Sequence, residues 1–169
     1  MEEIVLKDIQ EKDLSVVLDI YNYYILTSTA TFHLEPIPMD KLRGFIYLNH
    51  FKYKAYLIYY RNELAGFCFL TQYKNLVAYD RTVEIGIYLK PEYTHQGLGK
   101  QAIPFLEQVA KKNGFKIIIA SISGENEPSL KLFRNLGYQE CGYFKRVGEK
   151  FGRVIDVVYF QKSLEKDAM

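Results

Sequence analysis

A polar loop with two glycines limits the possible folds of this chain more than any other segment. It follows a predicted strand over residues 82–89 and the dipeptide Lys90–Pro91, and it ends at Gly97–Leu98–Gly99, where a helical pattern begins. Glycines at a helix start let the backbone turn sharply and direct several N–H groups toward one point. With the positive end of the helix dipole behind them, these donors suit a phosphate or pyrophosphate. The glycine pair alone is equally compatible with a turn that binds nothing.

Two common phosphate-binding loops fit this segment poorly. A P-loop requires glycine where this chain has Thr94, and serine or threonine where it has Gln101, so a P-loop is excluded. The spacing Gly97-x-Gly99-x-x-Ala102 matches the dinucleotide fingerprint, but that motif needs a tight turn directly after the strand and an acidic residue about 20 positions later. Seven residues separate Leu89 from the first glycine, and no acidic residue ends the next strand. A nicotinamide or flavin site is therefore disfavoured.

The rest of the chain predicts a single α/β domain over residues 1–169, because no repeat or Pro/Gly/Ser-rich linker divides it. Alternating and continuous apolar segments predict strands, and apolar residues at helical spacing predict helices, with Asp13 as a candidate cap of the first helix. The element order is β-α-α-β-β-β-α-β-α-β-β, a mixed sheet with helices on both faces. The predicted strands cover residues 4–9, 54–60, 64–72, 82–89, 115–122, 138–147 and 153–162, and the helices 14–26, 40–47, 100–112 and 126–136.

Composition excludes several classes of partner. The net charge of +2 and the absence of a Lys/Arg block give no case for nucleic-acid binding. The apolar segments are too short to span a membrane, and the acidic start does not resemble a signal peptide. Cys68 and Cys141 are the only cysteines, and both are expected to be reduced core thiols. No His, Cys, Asp or Glu cluster has metal-ligand spacing, so no metal is expected. We expect a cytoplasmic protein.

Two segments, of which the first contains the glycine loop, resemble the signatures of the GNAT superfamily of N-acetyltransferases. Residues 85–99, Ile-Gly-Ile-Tyr-Leu-Lys-Pro-Glu-Tyr-Thr-His-Gln-Gly-Leu-Gly, are similar to its acetyl-CoA signature, and residues 126–129 and 132–138 to its second signature. The resemblance covers nearly the whole chain. It implies a GNAT-like fold, with a central, mixed and mostly antiparallel sheet of about seven strands, and acetyl-CoA as co-substrate. The residues that it implies for cofactor binding are Gly86, Ile87, Tyr88, Leu89, Thr94, His95, Gln96, Gly97, Leu98, Gly99, Lys100, Asn126, Ser129 and Phe133.

A narrower resemblance is to the phosphinothricin acetyltransferase branch, on residues 20–25, 28–36, 78–84 and 156–157. It implies transfer of an acetyl group, by direct attack, to the primary amine of a small amino-acid-like substrate of the phosphinothricin or methionine sulfoximine type. It also implies a homodimer and assigns the role of catalytic base to Glu84. The substrate-binding residues that it implies are Phe32, Tyr73, Lys74 and Tyr79.

The chain departs from the family pattern at three positions. Phe133 stands where the family has Tyr or His and cannot protonate the departing CoA thiolate. Thr94 replaces Gln or Arg at the start of the loop motif. Leu76 replaces an Arg that would hold an acidic substrate, and Lys74 or Arg81 is a candidate substitute for that Arg. Two alternatives therefore stay open, namely acetylation of a protein N-terminus or lysine, and a CoA-binding sensor without turnover.

Overall fold

The computed structural model describes residues 2–165. Within them the elements follow the predicted order, and three short 3-10 turns at Glu11–Asp13, Val77–Tyr79 and Pro91–Tyr93 are added to it. The helices and strands are β1 (Val5–Asp8), α1 (Leu14–Thr27), α2 (Met39–Leu42), β2 (Ala55–Tyr60), β3 (Glu63–Gln72), β4 (Thr82–Leu89), α3 (Gly99–Lys112), β5 (Ile117–Ser123), α4 (Glu127–Asn135), β6 (Gln139–Lys150) and β7 (Arg153–Ser163).

The seven strands form one sheet in the order β1-β2-β3-β4-β5-β7-β6. Neighbouring strands are antiparallel except for β4 and β5, which are parallel. This confirms the predicted mixed, mostly antiparallel sheet. The parallel pairing joins only Thr82–Glu84 to Ile117–Ile119, and beyond these residues β4 and β5 separate. The sheet therefore opens in its middle, between the strand that precedes the glycine loop and the strand that follows α3.

Both faces of the sheet are covered, as predicted. Strand β3 shows how the two cores arise, because its successive side chains point to opposite faces. Cys68 and Leu70 pack in the core beneath α3 and α4, whereas Phe67 and Phe69 pack in the core beneath α1 and α2. Burial on both faces explains why this strand is almost continuously apolar. No helix among residues 2–165 is long and apolar enough to cross a membrane.

The first helix begins differently from the prediction. The Glu11–Asp13 turn runs directly into α1, so Asp13 already has helical backbone angles, φ −90° and ψ −13°, and its side chain makes no cap bond to α1. The Asp13 carboxylate instead accepts a hydrogen bond of 2.9 Å from the Gln10 N–H. Asp13 thus caps the 3-10 turn. The second helix is also shorter than expected, since α2 makes only one turn.

The last two strands are longer than predicted. The segment 148–152 was expected to be a connection, but β6 continues to Lys150, which pairs with Arg153 across a two-residue turn of Phe151 and Gly152. Both turn residues have positive φ, 54° and 70°, as a tight hairpin turn requires. The prediction of two core thiols is wrong for Cys141, which is exposed, while Cys68 is buried. Cys141 lies on β6, the edge strand of the sheet, and an edge strand is less covered than a central one.

Candidate active site

A cavity of about 590 Å³ opens where β4 and β5 separate. Its walls come from α1, from the loop at residues 28–34, from the segment after α2, and from the ends of β3 and β4, with Ser121 on the side of β5. The position follows from the topology. Because the parallel pairing ends early, the later part of β4 is left without a neighbour on one side, and a ligand can approach its backbone there.

Glu84 lies at the point of separation. It is the last residue of β4 that pairs with β5, opposite Ile119, and on its other side it is opposite Thr71 of β3. Its half-buried side chain lines the cavity. Burial raises the pKa of the Glu84 carboxyl, since removal from water disfavours the charged form. A carboxylate with a raised pKa is a stronger base, so this group suits removal of a proton from an amine.

Gly86 and Tyr88 face the same cavity, because they alternate with Glu84 along β4. A Cβ at Gly86 would lie 2.3 Å from Cζ of Phe69, so glycine is required there by the close approach of an aromatic ring. The Gly86 position continues the regular pairing with β3, and no bulge occurs at it. Tyr88 donates a hydrogen bond of 3.3 Å to the carbonyl of Ala30 in the 28–34 loop. This side of β4 therefore forms the floor of the cavity.

Ile87 and Leu89 point to the other face of the sheet and pack against the core beneath α3. The carbonyl of Leu89 accepts a hydrogen bond from the Tyr24 hydroxyl of α1. This bond and the burial of the ring hold the Tyr24 side chain in one position. Loss of hydration on burial raises the pKa of Tyr24 to about 12. The end of β4 is thus fixed from the side of α1.

The glycine loop has the geometry of an anion site. His95 and Gly97 have positive φ, 61° and 80°, and α3 begins two residues after Gly97. The N–H groups of Gly97, Leu98 and Gly99 donate to no acceptor within residues 2–165. Two polar side chains of the loop form hydrogen bonds within it. The hydroxyl of Thr94 donates to the carbonyl of Pro91, and the side-chain amide of Gln96 donates to the carbonyl of Glu92. Lys100 is exposed in the first turn of α3.

The second signature forms the start of α4. The Asn126 side chain caps this helix by accepting a hydrogen bond of 3.3 Å from the N–H of Ser129. Phe133 is 4% exposed and packs edge-on against Tyr138, with 4.9 Å between the ring centroids. The structure therefore places this phenylalanine in the core beneath α3 and α4. Its contact with a cofactor stays a prediction.

Three of the four residues predicted to bind the substrate line the cavity, and the fourth, Tyr79, does not. Phe32, Tyr73 and Lys74 line it, and Tyr79 contacts Tyr73 edge-on at 5.8 Å between centroids. The Lys74 ammonium lies 4.8 Å from the centroid of the Tyr79 ring, a cation–π distance.

Leu76 and Arg81 lie outside the set of residues that line the cavity. Leu76 is 63% exposed. Arg81 forms a 2.9 Å ion pair with Glu165. Of the two candidate cations for an acidic substrate, Lys74 is therefore the one at the cavity.

Several residues at the cavity or in contact with it were not among the predicted site residues. Tyr21 of α1 and Thr31 line the cavity and share a 2.8 Å hydrogen bond. His33 lines it too, and burial lowers the pKa of its imidazole. Lys150 is buried at the end of β6 and donates a hydrogen bond of 2.9 Å to the Thr31 carbonyl. No Asn-Gly or Asp-Gly dipeptide marks the turn after Lys150, so the sequence shows no clear sign that β6 extends this far. Among residues 2–165 no group of three His, Cys, Asp or Glu side chains is arranged to hold a metal ion.

Comparison with known proteins decides the family. A model of the acetyltransferase (GNAT) domain matches residues 6–159, which is most of the chain. The chain belongs to the GNAT acetyltransferase family. This GNAT N-acetyltransferase thus has the enzyme class that its two signatures indicated.

Similar proteins place this GNAT chain near one branch of the family. It is 32% identical to the phosphinothricin N-acetyltransferase of Streptomyces viridochromogenes, over 92% of this chain and 85% of that protein. It is 26% identical to the L-methionine sulfoximine/L-methionine sulfone acetyltransferase of Pseudomonas aeruginosa, over 95% and 94%. The solved structure of a GNAT superfamily phosphinothricin acetyltransferase from Sinorhizobium meliloti, in complex with AcCoA, matches with a TM-score of 0.87 and 28% identity, over 95% of this chain and 88% of that one. The predicted fold and branch are confirmed.

Proposed function

We propose that this protein transfers the acetyl group of acetyl-CoA to the primary amine of a small amino-acid-like acceptor by direct attack. The observation that carries the proposal is the place of Glu84, a half-buried carboxyl with a raised pKa at the point where β4 and β5 separate. An acceptor amine in the cavity then lies beside a base and beside the unpaired part of β4. Similarity to a phosphinothricin N-acetyltransferase and to an L-methionine sulfoximine/L-methionine sulfone acetyltransferase supports an acceptor of this type.

The residues present fit acetyl-CoA. The free N–H groups of Gly97, Leu98 and Gly99, at the positive end of α3, suit the pyrophosphate. His95 and Lys100 flank this position, and the backbone of residues 86–89 borders the opening between the strands. Asn126 and Ser129 start α4 on the same face of the sheet as α3. Bound acetyl-CoA supplies a thioester carbonyl that an amine can attack.

The chain's own groups then perform three tasks. Glu84 takes a proton from the acceptor ammonium, directly or through one water, and positioned bases of this kind contribute about 10²–10⁴-fold. The backbone N–H groups of β4 beyond Glu84 are suited to hold the negative charge that develops on the carbonyl oxygen. We call the part of the cavity lined by Phe32, Tyr73 and Lys74 its acceptor end. Lys74 places a cation there, where it suits an acceptor carboxylate.

No side chain is required to protonate the leaving group. Phe133 carries no ionisable group, and its ring is buried in the core beneath α3 and α4. A free thiol has a pKa of about 8.5, so the thiolate is a good enough leaving group to depart unassisted. Turnover with Phe133 in place is therefore compatible with the proposal.

The experiment measures thiol release from acetyl-CoA with phosphinothricin, L-methionine sulfoximine, L-methionine sulfone and simple amino acids. We expect turnover with at least one of them, and we expect Glu84→Gln to lose about 10²–10⁴-fold in rate while its calorimetric affinity for acetyl-CoA stays within about twofold. Glu63→Gln, at an exposed glutamate of β3, is the matched control. Acetyl-CoA binding without turnover on any amine would favour the sensor, and turnover only on peptides or proteins would favour the other alternative. Failure to bind acetyl-CoA would refute the proposal.

We also propose that the protein is a homodimer. The hairpin of β6 and β7 supports this, because it lies at the edge of the sheet and carries large apolar side chains that are each at least 44% exposed. These side chains are Tyr143, Phe144, Val147, Phe151 and Val154. Exposed large apolar side chains, where they come together in a patch, are typical of protein–protein contacts. Sedimentation equilibrium tests the proposal, and a monomer at tens of micromolar, a concentration of the order of common dissociation constants, would contradict it.

A further inference from the structure

The 28–34 loop is held in place by side chains from α1, β4 and β5. Tyr88 of β4 bonds the Ala30 carbonyl, Tyr21 of α1 bonds the Thr31 hydroxyl, and Ser123 at the end of β5 bonds the Thr29 hydroxyl at 2.9 Å. Thr29 and Thr31 are 6% and 3% exposed. Because Thr31, Phe32 and His33 line the cavity, the conformation of this loop sets the shape of the acceptor end.

Lys150 adds a contact from a distant part of the chain. It is 3% exposed, and its ammonium donates a hydrogen bond of 2.9 Å to the carbonyl of Thr31, 119 residues away in sequence. Burial lowers the pKa of Lys150, since the charged form loses hydration. Burying an ammonium is costly unless its hydrogen bonds compensate. The Thr31 carbonyl and the Phe151 ring, whose centroid lies 5.0 Å from the ammonium, offset this cost, and a buried methionine would fill a similar volume without it.

Arg153 reaches the same loop from the other side of the turn. It pairs with Lys150 at the end of the hairpin and forms two hydrogen bonds, 2.8 and 2.9 Å, with the carboxylate of Glu125. That carboxylate in turn accepts a 3.1 Å hydrogen bond from the Thr29 hydroxyl. We call Lys150, Phe151, Gly152 and Arg153 the hairpin tip. Both charged residues of the hairpin tip thus connect to the 28–34 loop, one directly and one through Glu125.

We propose that Lys150 is a positioning residue, which holds the 28–34 loop through the Thr31 carbonyl in the conformation that shapes the acceptor end of the cavity. It does not touch the reacting atoms. The hairpin of β6 and β7 therefore supports the acceptor site from outside the cavity, since none of its residues lines it. The expected effect on the KM for the acceptor rests on the proposed function, whereas the expected effect on the conformation of the 28–34 loop does not.

The variant Lys150→Met keeps the apolar stem and removes the charge and the three donors. We expect chymotrypsin to cleave after Phe32 about tenfold faster in this variant, because cleavage requires the loop to open and one lost bond from a charged donor is worth roughly that factor. Phe51, which is 83% exposed in another loop, supplies the internal reference. With L-methionine sulfone as acceptor, we expect the acceptor KM to rise about tenfold while the calorimetric Kd for acetyl-CoA stays within about twofold.

Three further variants separate positioning from a general effect on folding. Lys150→Arg, which keeps the donors, should recover part of the loop protection. Lys145→Met, at an exposed lysine of the same strand, should match the wild type in both measurements. Arg153→Gln should raise cleavage after Phe32 by up to about fivefold, since it acts through an exposed ion pair, and it tests the other connection of the hairpin tip to the loop, through Glu125 and Thr29. If Lys150→Met does not fold, Lys150→Gln, which also removes the charge, replaces it in both measurements.

The results that overturn the proposal are specific. Equal cleavage after Phe32 in wild type and Lys150→Met, relative to Phe51, would show that the lysine does not hold the loop. An equal loss of affinity for acceptor and acetyl-CoA would show a general structural role. If the wild type acetylates no amine, the proposed function fails, but the cleavage experiment still decides whether Lys150 holds the loop.

Discussion

Replacing Gly86 by alanine tests whether the packing of one aromatic ring determines the floor of the cavity. The new Cβ would lie 2.3 Å from Cζ and 2.5 Å from Cε1 of Phe69, whereas an ordinary contact begins at 3.4 Å. The ring edge must therefore withdraw by about 1.1 Å. The Phe69 ring is 6% exposed, and Phe45, Phe67 and Tyr88 lie around it with ring centroids 5.6, 5.9 and 6.4 Å away. Phe69 also lines the cavity, so its ring can withdraw only toward that space or by displacing these aromatic neighbours.

The expected loss of stability follows from two opposing contributions. Overpacking a core by a methyl group costs about 1–3 kcal/mol. Alanine in a strand is better than glycine by roughly 0.5–1 kcal/mol, because glycine loses more backbone freedom on folding. We therefore expect Gly86→Ala to lower the free energy of unfolding by about 1–2 kcal/mol. For a chain of 169 residues, this corresponds to a fall in Tm of roughly 3–6 °C.

Urea unfolding of four proteins measures this contribution. The proteins are the wild type, Gly86→Ala, Phe69→Leu and the double variant. Leucine lacks the ring edge that the new Cβ meets, so Gly86→Ala should cost less in the Phe69→Leu background than in the wild type. A coupling of about 1 kcal/mol or more is expected for residues in direct contact. If the alanine costs the same in both backgrounds, or nothing in either, the ring does not explain the glycine.

Three further predictions concern the site. Gly97→Ala should weaken acetyl-CoA binding in calorimetry by about tenfold, because a Cβ at φ 80° costs about 1–2 kcal/mol; unchanged affinity would contradict the role of this loop. Burial raises the pKa of Glu84, so its base form is lost as the pH falls through that raised value. A plot of rate against pH should therefore fall on the acid side with a midpoint above 4.5, the ordinary pKa. If the same fall persists unchanged in Glu84→Gln, another group causes it. Lys74→Met should raise the KM for carboxylate-bearing acceptors about tenfold, whereas Arg81→Met, which breaks the exposed pair with Glu165, should not change it; equal effects would show that Lys74 does not read the carboxylate.

The sequence predicts those parts of the molecule that depend on short-range patterns. Strand β4 begins and ends at the predicted residues, Thr82 and Leu89, and α3 differs from the prediction by one residue at its start. The glycine loop was also found from local geometry, because the need for positive φ at Gly97 is a property of the loop itself. Periodicity and turn chemistry act over a few residues, so a sequence displays them directly.

The parts that were missed depend on contacts between distant segments. The side-chain pattern of β6 gave no sign that the strand continues to Lys150, since Val147, Gly148 and Glu149 do not alternate clearly between apolar and polar. Pairing with β7, through Gly148 opposite Ile155, extends it instead. The exposure of Cys141 has the same origin, because an apolar segment on an edge strand looks like one in the centre until the strand order is known.

The two halves of the site are therefore built on different principles. The proposed cofactor site is mostly local: the end of β4, the glycine loop and the start of α3 are consecutive in sequence and present free backbone N–H groups, and only Asn126 and Ser129 come from another segment. The proposed acceptor site is assembled by α1, the 28–34 loop and the ends of β3 and β4, and that loop is held in turn by distant side chains such as Lys150, 119 residues from Thr31. This difference explains why the sequence indicates the acetyl donor more clearly than the acceptor: consecutive residues display their pattern directly, whereas a pocket assembled from distant segments does not.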